Sequence, residues 1–187
     1  EMGRLKEIVL SGAGVERAGG SVTHVQGVQE RYIADVASRV ALKRPLTVVA
    51  ACGNGTAGAF VSQALLKMGV VRLIEMDCQL DHSFPRYNPN PEDSVMLHAM
   101  AAEVRRHGAD LALGFDGDGD RCGVVDDTGE EIFADKIGLM LARDLAPLHP
   151  GAKFIVDVKS TGLFATDPVL EANGATTVYG VWGLGFG

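Results

Sequence analysis

Asp116-Gly117-Asp118-Gly119-Asp120-Arg121 is the segment whose residue types and spacing point most directly to chemistry. Three carboxylates at alternate positions must either repel one another or share a cation. The two glycines between them let the backbone fold so that all three side chains converge. Hard oxygen donors of this kind suit Mg²⁺ or Ca²⁺. A run of acids is ordinarily a solvated face, but this one directly follows the apolar run Leu111-Ala112-Leu113-Gly114-Phe115, at the tip of an expected buried strand. Asp116, Asp118 and Asp120 are therefore candidate metal ligands. An EF-hand loop begins with the same three acids. It requires glycine at its sixth position, where Arg121 stands, a bidentate Glu at its twelfth, where Asp127 stands, and helical flanks. Arg121 either offsets local charge or, beside a metal, grips a phosphate as a planar fork. Three carboxylates exceed the charge of one dication by one, so an arginine and a phosphate complete a plausible set.

A second motif, Gly53-Asn54-Gly55-Thr56-Ala57-Gly58, fits G-x-G-x-x-G between an expected strand and an expected helix. Glu75 and Asp77 fall near the distance at which a ribose-binding acid would stand, so the residues alone admit a nucleotide-binding module. They equally admit a tight turn whose backbone packs closely and for that reason selects glycine.

The elements that must position these loops are set out by periodicity. Helices are expected at Met2 to Leu10, Val28 to Leu42 (Tyr32, Val36 and Val40 at spacing four), Thr56 to Met68, Asn90 as N-cap through His107, Asp135 to Leu145 and Phe164 to Asn173. Strands are expected at Leu46 to Ala51, Val70 to Met76, Ala109 to Phe115, Cys122 to Asp126, Lys153 to Val158 and Ala175 to Tyr179, with a short return strand at Ile132 and Phe133 and extended chain at Val22 to Gln26. Met96, Leu97, Met100 and Val104 lie at helical spacing and belong to a core. Strands alternating with helices give an α/β fold, with a mixed, largely parallel sheet and helices on both faces. Pro147, His149, Pro150 and Gly151 mark a boundary, with part of a second, similar α/β domain beyond it.

A length of 187 residues allows one large or two small domains, and the formal charge of −7 leaves no basic face for nucleic acid or an anionic membrane. Cys52, Cys78 and Cys122 are far apart in sequence and form no C-x-x-C pair, which reads as reduced thiols in a cytoplasmic protein. No apolar stretch approaches the ~20 residues of a membrane span, and the N-terminus lacks a signal-peptide pattern.

Several segments in order resemble the α-D-phosphohexomutase superfamily, in particular its bacterial phosphomannomutase/phosphoglucomutase type. These are Val48-Val49-Ala50-Ala51-Cys52-Gly53-Asn54-Gly55, Phe84-Pro85 with Asn88-Pro89-Asn90-Pro91, Gly114 to Arg121, and Phe154-Ile155-Val156-Asp157-Val158-Lys159-Ser160. The D-x-D-G-D-R loop is the most specific. The resemblance implies a domain-2-like fold, Mg²⁺ on Asp116, Asp118 and Asp120, and Arg121 at the central phosphate. It further implies an isomerase that moves a phosphoryl group between the 1 and 6 positions of a mannose or glucose phosphate through a phosphoserine and a bisphosphate intermediate. It also makes the Gly53 turn structural and leaves Glu75 and Asp77 without a ligand role.

The family's T-A-S-H-N-P nucleophile segment, sugar-binding loop and fourth domain have no counterpart here. Gly162 stands where arginine is usual, and the tail 180–187 departs from the family pattern. The expected division is therefore the end of a first domain (1–26), a metal-binding domain (27–149) and the start of a third (150–187). This piece of a mutase would bind Mg²⁺ but need the missing domains for turnover. A non-catalytic metal-binding fragment is the other reading. His82, Lys159 and Ser160 could face the site or be ordinary loop and strand-end residues.

Overall fold

The computed structural model describes residues 1–15 and 18–180. The tail beyond Gly180, where the sequence leaves the family pattern, lies outside the described residues. Five strands form the main sheet: β1 (Thr47–Ala51), β2 (Arg72–Met76), β3 (Leu111–Phe115), β4 (Cys122–Asp126) and β5 (Glu131–Ile132), in the order β2-β1-β3-β4-β5. β1 runs parallel to both β2 and β3, while β3-β4 and β4-β5 are antiparallel. The sheet is mixed because β3 and β4 are joined by the short aspartate loop, which can only reverse the chain, whereas parallel neighbours need crossover helices.

Those crossovers cover both faces. On one face α4 (Ser94–His107) packs Met96, Leu97, Met100 and Val104 against Val49, Ala51, Ala112 and Val125. The stripe spacing reads correctly, since all four α4 residues are at most 5% exposed. On the other face α3 (Val61–Lys67) lays Val61 and Leu65 over Val48, Ala50 and Cys52. Alternate residues of β1 therefore enter different cores, as strand geometry requires.

Local departures from the expected elements each have a cause. α2 (Val28–Ser38) stops well before Pro45 because Leu42 turns down to pack on the α3-side core. The expected helix from Thr56 divides into a 3₁₀ turn (Thr56–Ala59) and α3, broken at Phe60, whose ring lies edge-on to Tyr32 with centroids 5.6 Å apart. Asp93, not Asn90, caps α4 by accepting from the Val95 amide; Asn90 Oδ1 instead takes the Glu92 amide. Residues 22–26 form no strand and are exposed. The expected helix from Phe164 is a 3₁₀ turn (Gly162–Ala165) followed by α6 (Pro168–Ala172), which Asp167 caps.

The remaining strands, β6 (Lys153–Asp157) and β7 (Thr176–Gly180), make a separate parallel pair. α5 (Ala134–Leu145) packs with them: Leu139 and Ala142, with Ala146 just beyond, share a core with Phe164 and Leu170. Arg143 seals that core by pairing with the buried Asp167, with Nε to Oδ2 at 2.7 Å and Nη2 to Oδ2 at 2.6 Å. α1 (Met2–Ser11) has no buried residue. No helix among the described residues is long and apolar enough to cross a membrane.

Candidate metal centre

The aspartate loop hangs from the carboxyl end of β3 and is gripped from below by the Gly53 turn. Gly53 and Asn54 have φ of 49° and 63°, in the left-handed region that turns the chain sharply out of β1. A Cβ on Gly55 would lie 2.9 Å from the carbonyl oxygens of both Asp116 and Gly117, so only glycine lets the two backbones meet. Thr56, the next residue, donates both its amide (3.0 Å) and its hydroxyl (3.2 Å) to the Gly117 carbonyl. Gly58 has no room for a side chain before the Cys78 carbonyl. The glycines of G-x-G-x-x-G thus serve backbone packing, and they lead into a 3₁₀ turn rather than the free α-helix end that would receive a pyrophosphate.

On this platform the carboxylates converge. One oxygen from each of Asp116, Asp118 and Asp120 lies within 4.8 Å of the others. Asp116 is 1% exposed, whereas Asp118 and Asp120 are open to solvent. The carboxylates of Asp118 and Asp120 accept no hydrogen bond among the described residues, so their lone pairs are available to a cation. Asp116 is fixed by Arg121, whose amide reaches Oδ1 at 3.1 Å and whose Nε reaches Oδ2 at 2.7 Å. Burial pushes the Asp116 carboxyl up, but the Arg121 amide and guanidinium and the Gly119 amide outweigh it and hold the group below the usual carboxylate range. Asp116 therefore stays ionised, with lone pairs to spare beyond the bonds it accepts from Arg121. One guanidinium against three carboxylates leaves two negative charges, the charge a divalent ion supplies with oxygen donors of the preferred kind.

Arg121 is held in place without being consumed. Its Nη1 lies 3.4 Å from Asn90 Oδ1, and its side chain remains 54% exposed at the rim of a cleft of about 420 Å³ bordered by Pro91, Gly123 and Phe133. Lys159 and Ser160 line a neighbouring hollow with Glu92 and Asp135, away from the aspartate loop. His82 is exposed. Glu75 and Asp77 sit by a separate hollow beside Cys78, and Asp77 is occupied by Arg86 at 2.9 Å. Asn90, which steadies Arg121, reads in the sequence as a helix cap within a proline-flanked segment, and nothing there points to the arginine.

An α/β domain bearing a carboxylate-rich loop at the carboxyl end of a central strand, beside a basic residue and a cleft, is what the phosphohexomutase resemblance implies. Residues 30–129 match the family model for phosphoglucomutase/phosphomannomutase, alpha/beta/alpha domain II, and the chain belongs to that family. The phosphomannomutase/phosphoglucomutase of Pseudomonas putida is 36% identical over 168 residues, covering 90% of this chain and 35% of the relative. The phosphoglucomutase of Neisseria meningitidis serogroup B is 35% identical over 159 residues, covering 85% and 34%. The crystal structure of a phosphoglucomutase/phosphomannomutase family protein from Burkholderia thailandensis superposes with a TM-score of 0.82 at 29% identity, covering 96% of this chain and 38% of that one. The chain thus spans about a third of the length of the relatives it matches.

Proposed function

We propose that this chain is the metal-binding part of a hexose-phosphate mutase, in which Asp116, Asp118 and Asp120 hold Mg²⁺ and Arg121 contacts the phosphate being transferred. The observation that carries the reading is the convergence of three carboxylate oxygens within 4.8 Å beside an anchored, half-exposed guanidinium. Bound there, Mg²⁺ would neutralise charge on the phosphoryl group in transit. Asp116 acts from a buried position and stays ionised. Asp118 and Asp120 complete the set from the solvent side. Arg121 commits Nε to Asp116 and keeps its outer hydrogens for a phosphate entering from the cleft, which is electrostatic positioning rather than covalent chemistry.

The names of the relatives support mannose or glucose phosphates as substrates. The nucleophilic serine and the sugar-selecting loop would come from domains outside this chain, as its coverage of those relatives suggests. Within the chain, the core that α5 shares with β6 and β7 favours a seam at Phe133, earlier than the proline-rich stretch at 147–150.

Calorimetric titration with Mg²⁺, with and without glucose 1,6-bisphosphate, tests the proposal. Stoichiometric Mg²⁺ binding that is tightened by the bisphosphate, with no mutase turnover by the chain alone, is the expected result. Absence of Mg²⁺ binding in both conditions would overturn it.

A further inference from the structure

Two side chains that the phosphoryl chemistry leaves unused are Cys52 and Cys78. Cys52 extends β1 and Cys78 lies two residues past the end of β2. The ladder pairs Ala51 with Met76, so the two cysteines are diagonal neighbours just beyond it. Adjacent strands place such positions about 5–6 Å apart, inside the Cα separations that a disulfide spans. Their sulfurs lie 3.4 Å apart, and Cys78 Sγ also lies 3.3 Å from the Ala50 carbonyl. Cys52 is fully buried beneath α3. Cys78 is half-buried and opens on a surface hollow of about 330 Å³ shared with Asn54, Glu75, Asp77 and Gln79.

We propose that Cys52 and Cys78 are a reversible thiol pair that closes to an intrachain disulfide on exposure to a small neutral hydroperoxide, with Cys78 oxidised first. The acidic rim of the hollow disfavours anionic oxidants, and hydrogen peroxide carries neither charge nor bulk. Cys78 attacks one peroxide oxygen, the O–O bond breaks, and hydroxide leaves and is protonated to water. The Cys52 sulfur then attacks the Cys78 sulfenic sulfur and expels a second water, so two thiols and one peroxide give one disulfide and two waters. Cys78 is the sulfur the hollow reaches, while Cys52 is shielded in the core, so the peroxide meets Cys78 first. Hydrogen bonding between the sulfurs acts in the same sense, lowering the Cys78 thiol and raising Cys52.

The pair is tied to the aspartate loop through backbone. The Asn54 amide donates to the Asp77 carbonyl (2.7 Å), Asn54 Nδ2 donates to the Gln79 carbonyl (2.7 Å), and Gly58 abuts the Cys78 carbonyl. Closing the sulfurs from 3.4 Å to a bond of about 2.05 Å displaces that segment against the turn on which Thr56 holds Gly117. Weakened Mg²⁺ affinity is the consequence, and this part alone rests on the metal reading above.

The test is peroxide treatment of the chain, denaturation in iodoacetamide and peptide mapping by mass spectrometry. The expected product is a Cys52–Cys78 linked peptide that dithiothreitol reverses. Cys122 is exposed and has no neighbouring sulfur among the described residues, so it stays alkylatable. Sulfinic acid on Cys78 with Cys52 still alkylatable would overturn the pair. In a parallel Mg²⁺ titration the oxidised chain should bind several-fold more weakly than the reduced chain, and equal affinities overturn the coupling. A reduced chain that binds no Mg²⁺ defeats the metal reading, while the peptide map still decides the disulfide.

Discussion

Thr56 donates twice to one acceptor, the Gly117 carbonyl, by its amide at 3.0 Å and its hydroxyl at 3.2 Å. This shared oxygen joins the turn after β1 to the loop after β3, so the carboxylate cluster is fixed by a neighbouring crossover as well as by its own strand. A loop of three acids would otherwise splay under its own repulsion.

Replacing Asp118 with Ala should weaken Mg²⁺ binding by more than about tenfold. The metal-free protein should keep its stability to within about 0.5 kcal/mol, since the side chain is exposed and its loss relieves repulsion. Calorimetry and thermal melts measure the two effects separately. A mutant that unfolds while retaining metal affinity would make the aspartates structural.

Gly55→Ala should cost about 1–3 kcal/mol and weaken Mg²⁺ binding together, because the new Cβ meets two carbonyl oxygens at 2.9 Å. Thr56→Val, which removes only the hydroxyl bond, should cost about 0.5–1.5 kcal/mol. Chemical denaturation ranks the two. A Gly55→Ala protein with wild-type stability would contradict the close approach.

Saturating Mg²⁺ should raise the melting temperature. At a free concentration a hundredfold above Kd, linkage supplies about 2.7 kcal/mol, or about 5–10 °C for a chain of this size. EDTA should return the curve to that of the metal-free protein without unfolding it, since both main-sheet cores are apolar and complete without an ion.

Asp167 makes acid stability testable. Its pairing with Arg143 and the amides of Leu170 and Val169 outweigh burial and hold its carboxyl below the usual range. The folded value is depressed, so the contribution is fully present above the unfolded value near 4 and fades as pH falls through the folded one. Asp167→Asn should cost about 1–3 kcal/mol at neutral pH. Its deficit against wild type should shrink below about pH 4. Melts across pH would register a constant deficit if the pair were unimportant.

Much of this arrangement is legible in the residues. Gly-spaced acids after an apolar strand foretell convergence, and the Met96, Leu97, Met100 and Val104 stripe foretells which face of α4 is buried. The features that escape the sequence depend on tertiary contacts. Phe60 breaks a good helical pattern because Gly58 must clear the Cys78 carbonyl and because its own ring meets Tyr32. Asn90 resembles a cap but is drawn toward Arg121. Cysteines 26 positions apart become sulfur neighbours only once β1 and β2 pair in parallel. Periodicity likewise marks α5 as amphipathic without naming the sheet it covers.

That last feature governs how the polypeptide can be dissected. A recombinant piece ending at the proline-rich stretch would carry α5 without Phe164 and Leu170, leaving Leu139, Ala142 and Ala146 bare to water and the Arg143 guanidinium without its anion. Such a piece invites self-association through that bare stripe. One ending just after β5, at Ile132 or Phe133, removes the helix with its obligation and leaves the five-stranded sheet with both of its own cores intact.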